Sequence, residues 1–137
     1  MKHKIQFNRL SRRAAHRRSM LRNMATSLLR YERIRTTKAK ARELKRVVEK
    51  MITRAKNDSV HNRRIIARYI QDKAIIAKLF TEIAPRYSER PGGYTRMIKL
   101  GERKSDAAEM VFVELLNRTI KERKKREKKD KPKLPTA

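Results

Sequence analysis

The spacing of hydrophobic positions changes several times along the chain, and each spacing predicts an element. Leu21, Met24, Ala25 and Leu28, flanked by Leu29, recur at the i, i+3, i+4, i+7 positions of one helix face. A first helix is expected from about Ser11, an N-cap residue type, to about Tyr31. At about 100° per residue, Arg12, His16, Ser19, Asn23, Thr26 and Arg30 share the opposite face. Before Leu21 the apolar stripe thins to Ala14 and Ala15, set among Arg12, Arg13, Arg17 and Arg18. That half has little to dock on a core, so it is expected to project and bind something else.

Arg33-Ile34-Arg35-Thr36 reads as a short strand, with Thr36 or Thr37 capping a second helix over 38–56. This helix has the cleanest stripe: Ala41, Leu44, Val47, Val48, Met51, Ile52 and Ala55. Asn57-Asp58-Ser59 breaks it and caps a third helix over 60–70. Asp72 caps a fourth, with Ile75, Ile76, Leu79, Phe80 and Ile83 on its apolar face, and Pro85 is expected to end it. Pro91-Gly92-Gly93 marks a turn, Thr95–Leu100 a strand, Gly101–Asp106 a hairpin connection and Ala108–Leu116 a second long strand. Apolar residues on both faces of that last strand place it in a central or well-covered position. The expected fold is α+β, with about four helices packed on a small mixed three-stranded sheet. A basic N-terminal arm covers 1–10, a single domain 11–118, and a disordered or helical Lys-rich tail 119–137.

Charge changes this picture most. Of 137 residues, 40 are Lys or Arg and 14 are Asp or Glu, a formal net charge of +26. Residues 1–42 carry 14 basic side chains against one acid, and 121–137 carry 9 against 3. Such an excess repels itself in a compact state and calls for a polyanion, of which nucleic acid is the obvious one. Cys is absent, which excludes disulfides, thiolate metal sites and a cysteine nucleophile. No apolar run approaches the roughly 18–20 residues of a membrane span. The start MKHKIQFNRLSRR lacks a secretory apolar stretch, so a soluble cytoplasmic protein is expected. Residues 1–31, with nine basic residues and no acid, have transit-peptide composition, but Met1 leads directly into what reads as an RNA-binding arm.

The candidate polyanion contacts are Lys2, Lys4, Arg9, Arg12, Arg13, Arg17, Arg18 and Arg22. Arg presents a planar fork to phosphate oxygens and sheds water more readily than Lys. Contacts of this type position a backbone without reading its sequence. His3 and His16 suit stacking on bases or hydrogen bonding to them, and Arg90, Tyr94 and Arg96 flank the glycine turn. Tyr87 and Tyr94 serve equally as stacking platforms or as core. Three scattered His residues without Cys give no metal spacing, and the dispersed carboxylates form no acid–base pair, so no metal, cofactor or catalysis is expected.

The local sequence goes further. Leu21-Arg22-Asn23-Met24-Ala25-Thr26-Ser27-Leu28, followed by Glu32-Arg33-Ile34-Arg35-Thr36-Thr37-Lys38-Ala39-Lys40-Ala41, resembles the bacterial large-subunit ribosomal protein L-seventeen family. Leu79–Tyr87, Gly92-Gly93-Tyr94-Thr95-Arg96, and Lys99, Gly101, Arg103 and Asp106–Met110 extend the resemblance in the same order over about 8–116. It implies a non-catalytic component of the large subunit, bound to its rRNA near the peptide exit tunnel and beside neighbouring ribosomal proteins. It also implies a fold of helices on a small mixed sheet. The family's basic segment carries over onto Asn8–Asn23, where His16-Arg17 and Arg22-Asn23 match. Arg35, Lys38, Lys40 and Arg103 fall within the other motifs and join the rRNA-binding set. Ser11 stands where a glycine often precedes the arginine at position 12. A nucleoid or regulatory DNA-binding protein fits the charge equally, but no helix-turn-helix or basic-zipper pattern is present. An RNA-processing enzyme would need acidic metal ligands or a His pair that the chain lacks.

Overall fold

In the computed structural model, which describes residues 7–117, three antiparallel strands are backed by helices. Helix α1 spans Ala14–Tyr31, strand β1 Arg33–Thr37, helix α2 Lys38–Ala55, helix α3 Val60–Ala67 and helix α4 Lys73–Lys78. Strands β2 (Thr95–Glu102) and β3 (Glu109–Leu115) complete the sheet, in the order β1-β3-β2. The α+β architecture and the central position of β3 agree with the expectation. The sheet is antiparallel at both pairings rather than mixed: Arg33 faces Glu114 on one side and Arg96 faces it on the other. The β2–β3 hairpin makes one pairing antiparallel by necessity. The direction of β1 depends on how the helices return the chain, which no local pattern encodes.

Ala25, Leu28 and Leu29 of α1 meet Ala41, Leu44, Val48, Met51 and Ile52 of α2 in the core, and Leu21 is buried one turn earlier. Val111, Val113 and Leu115 face this core from β3. Ser59 and Asp72 cap as expected: Ser59 Oγ accepts from the Asn62 N–H, and the Asp72 carboxylate accepts from the N–H groups of Ala74 and Ile75. Pro85 does not end the fourth helical segment. The chain widens into a π turn over Leu79–Ile83 and then tightens into a 3-10 turn over Ala84–Tyr87, which tolerates Pro85 near its start.

Glu32 ends α1 in the left-handed region (φ 58°), where its N–H donates to the Leu28 carbonyl at 2.8 Å. Its own carbonyl accepts from Leu115 N–H at the end of β3. Its buried carboxylate takes Arg86 at 2.8 Å and Lys78 at 3.0 Å. One residue thus joins the end of α1, the end of β3 and the α4 segment. Glu32→Gln leaves both cations largely buried beside a neutral amide, at a cost on the order of 3 kcal/mol. A thermal melt should show Tm lowered by more than about 10 °C, and a change under about 2 °C would contradict this role.

Candidate nucleic-acid interface

The front half of α1 is exposed, as its weak stripe predicts: Ala14, Ala15, His16, Arg18 and Ser19 are all open to solvent. Ser11 does not cap it. The N-cap is Arg13, without a side-chain cap bond, and Leu10 and Ser11 both have positive φ (55° and 51°) in a turn closed by Arg12 N–H to the Arg9 carbonyl. A residue in that conformation cannot be the extended N-cap. The turn sends the preceding segment back along the helix. There Asn8 donates from its backbone N–H and its side-chain amide to Glu43 at 3.1 and 3.0 Å, and the Arg17 guanidinium lies 4.3 Å from the Phe7 ring centroid. The front half is therefore braced by the arm rather than freely projecting. Sequence reasoning passed over Glu43, whose signal is an acid between Ala41 and Leu44 on the buried side of α2.

Most of the described carboxylates pair with cations away from the front of α1. Asp72 pairs with Arg30, Asp58 with Arg63, Asp106 with Arg103, Glu109 with Lys38, and Glu114 with Arg33 and Arg96. Each of Asp58, Asp72, Asp106 and Glu109 is held below the usual carboxylate range, chiefly by a hydrogen bond from its cation, and Asp106 falls to about 2. Among the described residues, no ion pair involves a basic side chain before Arg30. Arg9, Arg12, Arg13, Arg17, Arg18 and Arg22 thus form an uncompensated cationic surface, with His16 and Asn23 exposed among them. The Nε atoms of Arg12 and Arg22 are shielded from solvent without a hydrogen-bond partner, an arrangement that an incoming anion would relieve.

The remaining expected contacts divide. Arg35, Lys40 and Arg90 lie on β1, on α2 and beside the glycine turn, and form no ion pair among the described residues. Arg96, Arg103 and Lys38 are engaged by their carboxylates. Lys2, His3 and Lys4 lie outside the described residues. Tyr94 is corrected: its ring is 1% exposed and packs against Tyr87 at a 5.1 Å centroid separation, with its hydroxyl near Thr53 and the Arg90 carbonyl. No face is left for a base. Tyr87 is equally core, its hydroxyl donating to the Leu116 carbonyl and pushed up to about 12 by burial.

Fold and charge together define a small α+β polycation with a cluster of uncompensated arginines at the front of α1. The profile of the family described as Ribosomal protein L17 matches residues 20–116. "Large ribosomal subunit protein bL17" of Borrelia turicatae is 58% identical over 123 residues, covering 90% of this chain and 99% of that protein. Its namesake in Treponema pallidum is 56% identical over 131 residues, covering 95% and 80%. The chain belongs to the ribosomal protein L17 family. It is accordingly a structural constituent of a ribonucleoprotein and not an enzyme.

The positive φ at Ser11 is one that glycine adopts without steric cost. Ser11→Gly should stabilise the braced arm by about 0.5–1 kcal/mol and raise Tm by a few degrees. An unchanged or lower Tm would show that the turn carries no strain.

Proposed function

We propose that this chain is a component of the large ribosomal subunit that binds large-subunit rRNA, near the peptide exit tunnel, by neutralising phosphates where RNA segments converge. What supports the reading is the distribution of charge: carboxylates pair with cations across the body, whereas among the described residues the arginines from Arg9 to Arg22 have no ion pair. Arg9, Arg12, Arg13, Arg17, Arg18 and Arg22 contact the backbone, joined by His16 and Asn23 and by Lys2, His3 and Lys4 from the arm. Arg35, Lys40 and Arg90 make outlying contacts. Recognition is by shape and phosphate position rather than base edges. Residues 1–10 act as an arm, 11–118 as the domain and 119–137 as a tail. Neighbouring large-subunit proteins complete its surroundings on the ribosome.

Replacing Arg12, Arg13, Arg17 and Arg18 together by Gln should abolish incorporation into large subunits while leaving the melt of the isolated protein within a few degrees. With isolated rRNA, the slope of log affinity against log salt should shrink by about 3, roughly 0.7–0.9 for each of the four lost phosphate contacts. Normal incorporation of the variant would remove the arm and front of α1 as the principal site.

A further inference from the structure

The polar face of α1 that begins at Arg12 and His16 does not stop at the exposed half. Ser19, Asn23, Thr26 and Arg30 continue the line of Arg12 and His16 for about 16 Å along the helix. They form one wall of a cleft of about 320 Å³, whose opposite wall is the α3–α4 connection with Tyr69, Gln71 and Asp72. This volume is at the lower end of ordinary ligand sites, which run from about 300 Å³. The lining is polar but holds one aromatic ring. Arg22 lies against that ring, with Cζ 5.6 Å from its centroid.

The charges in the cleft are unequal. At the end nearer the C-terminus of α1, Asp72 is neutralised by Arg30 at 2.6 Å and also caps α4. At the other end Arg22 has no carboxylate among the described residues, and its shielded Nε lacks an acceptor. A ligand that suits both ends carries an anion toward Arg22 and a flat, hydrogen-bonding group toward Tyr69, Gln71 and Asp72. We propose that this cleft holds a single unpaired rRNA nucleotide, its phosphate on Arg22 and its base against Tyr69, within reach of Gln71 and the Arg30–Asp72 pair. Unpaired bases are the RNA elements that stack on aromatic side chains and offer their edges. The proposal rests on the rRNA-binding reading and adds one base-recognising site to a surface that otherwise reads backbone.

The test uses intact large subunits. After ultraviolet irradiation, nuclease and trypsin, a nucleotide adduct should appear on the peptide Tyr69-Ile-Gln-Asp-Lys73 as well as on peptides from the front of α1. In subunits carrying Tyr69→Leu, which keeps an apolar side chain toward the core, one or two rRNA nucleotides should rise about fivefold or more in chemical reactivity, the lower end for losing a base–aromatic contact. Tyr69→Phe should restore protection, and Arg22→Gln should lose it. Unchanged reactivity in both Tyr69→Leu and Arg22→Gln subunits, with adducts confined to the front of α1, overturns the cleft and leaves the rRNA reading standing. A crosslink from Tyr69–Lys73 to a neighbouring protein instead of RNA overturns it as well. Absence of RNA adducts anywhere on the chain would sink the underlying reading along with it.

Discussion

Glu32 is the constraint on which the rest of the molecule depends. Its left-handed backbone stops α1, and its carbonyl receives the end of β3. Its carboxylate gathers Arg86 and Lys78 from the α4 segment. A non-glycine residue pays about 1 kcal/mol for that conformation, and the surrounding bonds over-determine it. Because the end of α1 is locked here, Leu21, Ala25, Leu28 and Leu29 must enter the core. The residues before Leu21 are carried out beyond it. The exposure of the cationic half follows from where the helix is pinned.

The same logic explains how so basic a chain folds at all. Its few acids sit where strands and helices meet: Glu114 lies between Arg33 and Arg96 across three strands, and Glu43 anchors Asn8 of the arm. Arg33 also covers Phe112 on the sheet's outer face, 3.8 Å from the ring centroid. These carboxylates quench repulsion at junctions, whereas the arginines at the front of α1 have no such partner among the described residues. The arginines that form the ion pairs of the body are therefore not those at the front of α1, so the latter can be altered while the body stands.

Much of this was legible because it is local. The caps at Ser59 and Asp72, the α2 stripe and the apolar run of β3 depend on residues within a turn or two of one another. The excess of basic residues toward the N-terminus is legible from counting alone. What escaped was non-local or conformational. Ser11 has the chemistry of an N-cap but sits in a left-handed turn, and Tyr94 carries a stacking side chain that Tyr87 and α2 enclose. The direction of β1 in the sheet depends on the path through three helices. Glu32 reads as one more acid among basic neighbours until Arg86, 54 residues away, is found on it. Tyr69 and Gln71 gain meaning only when α1 is laid beside them.

The central claim is that this uncompensated charge is built into one specific ribonucleoprotein rather than spread over any polyanion. Sedimentation of a cell lysate through a high-salt sucrose gradient, tracking this protein against both ribosomal subunits, tests it most directly. High salt releases proteins held only by generic phosphate contacts, because counterion release drives that binding. The account predicts stoichiometric retention in the large-subunit peak. Release to the top of the gradient would contradict it and leave a general polycation, with DNA as the next partner to examine.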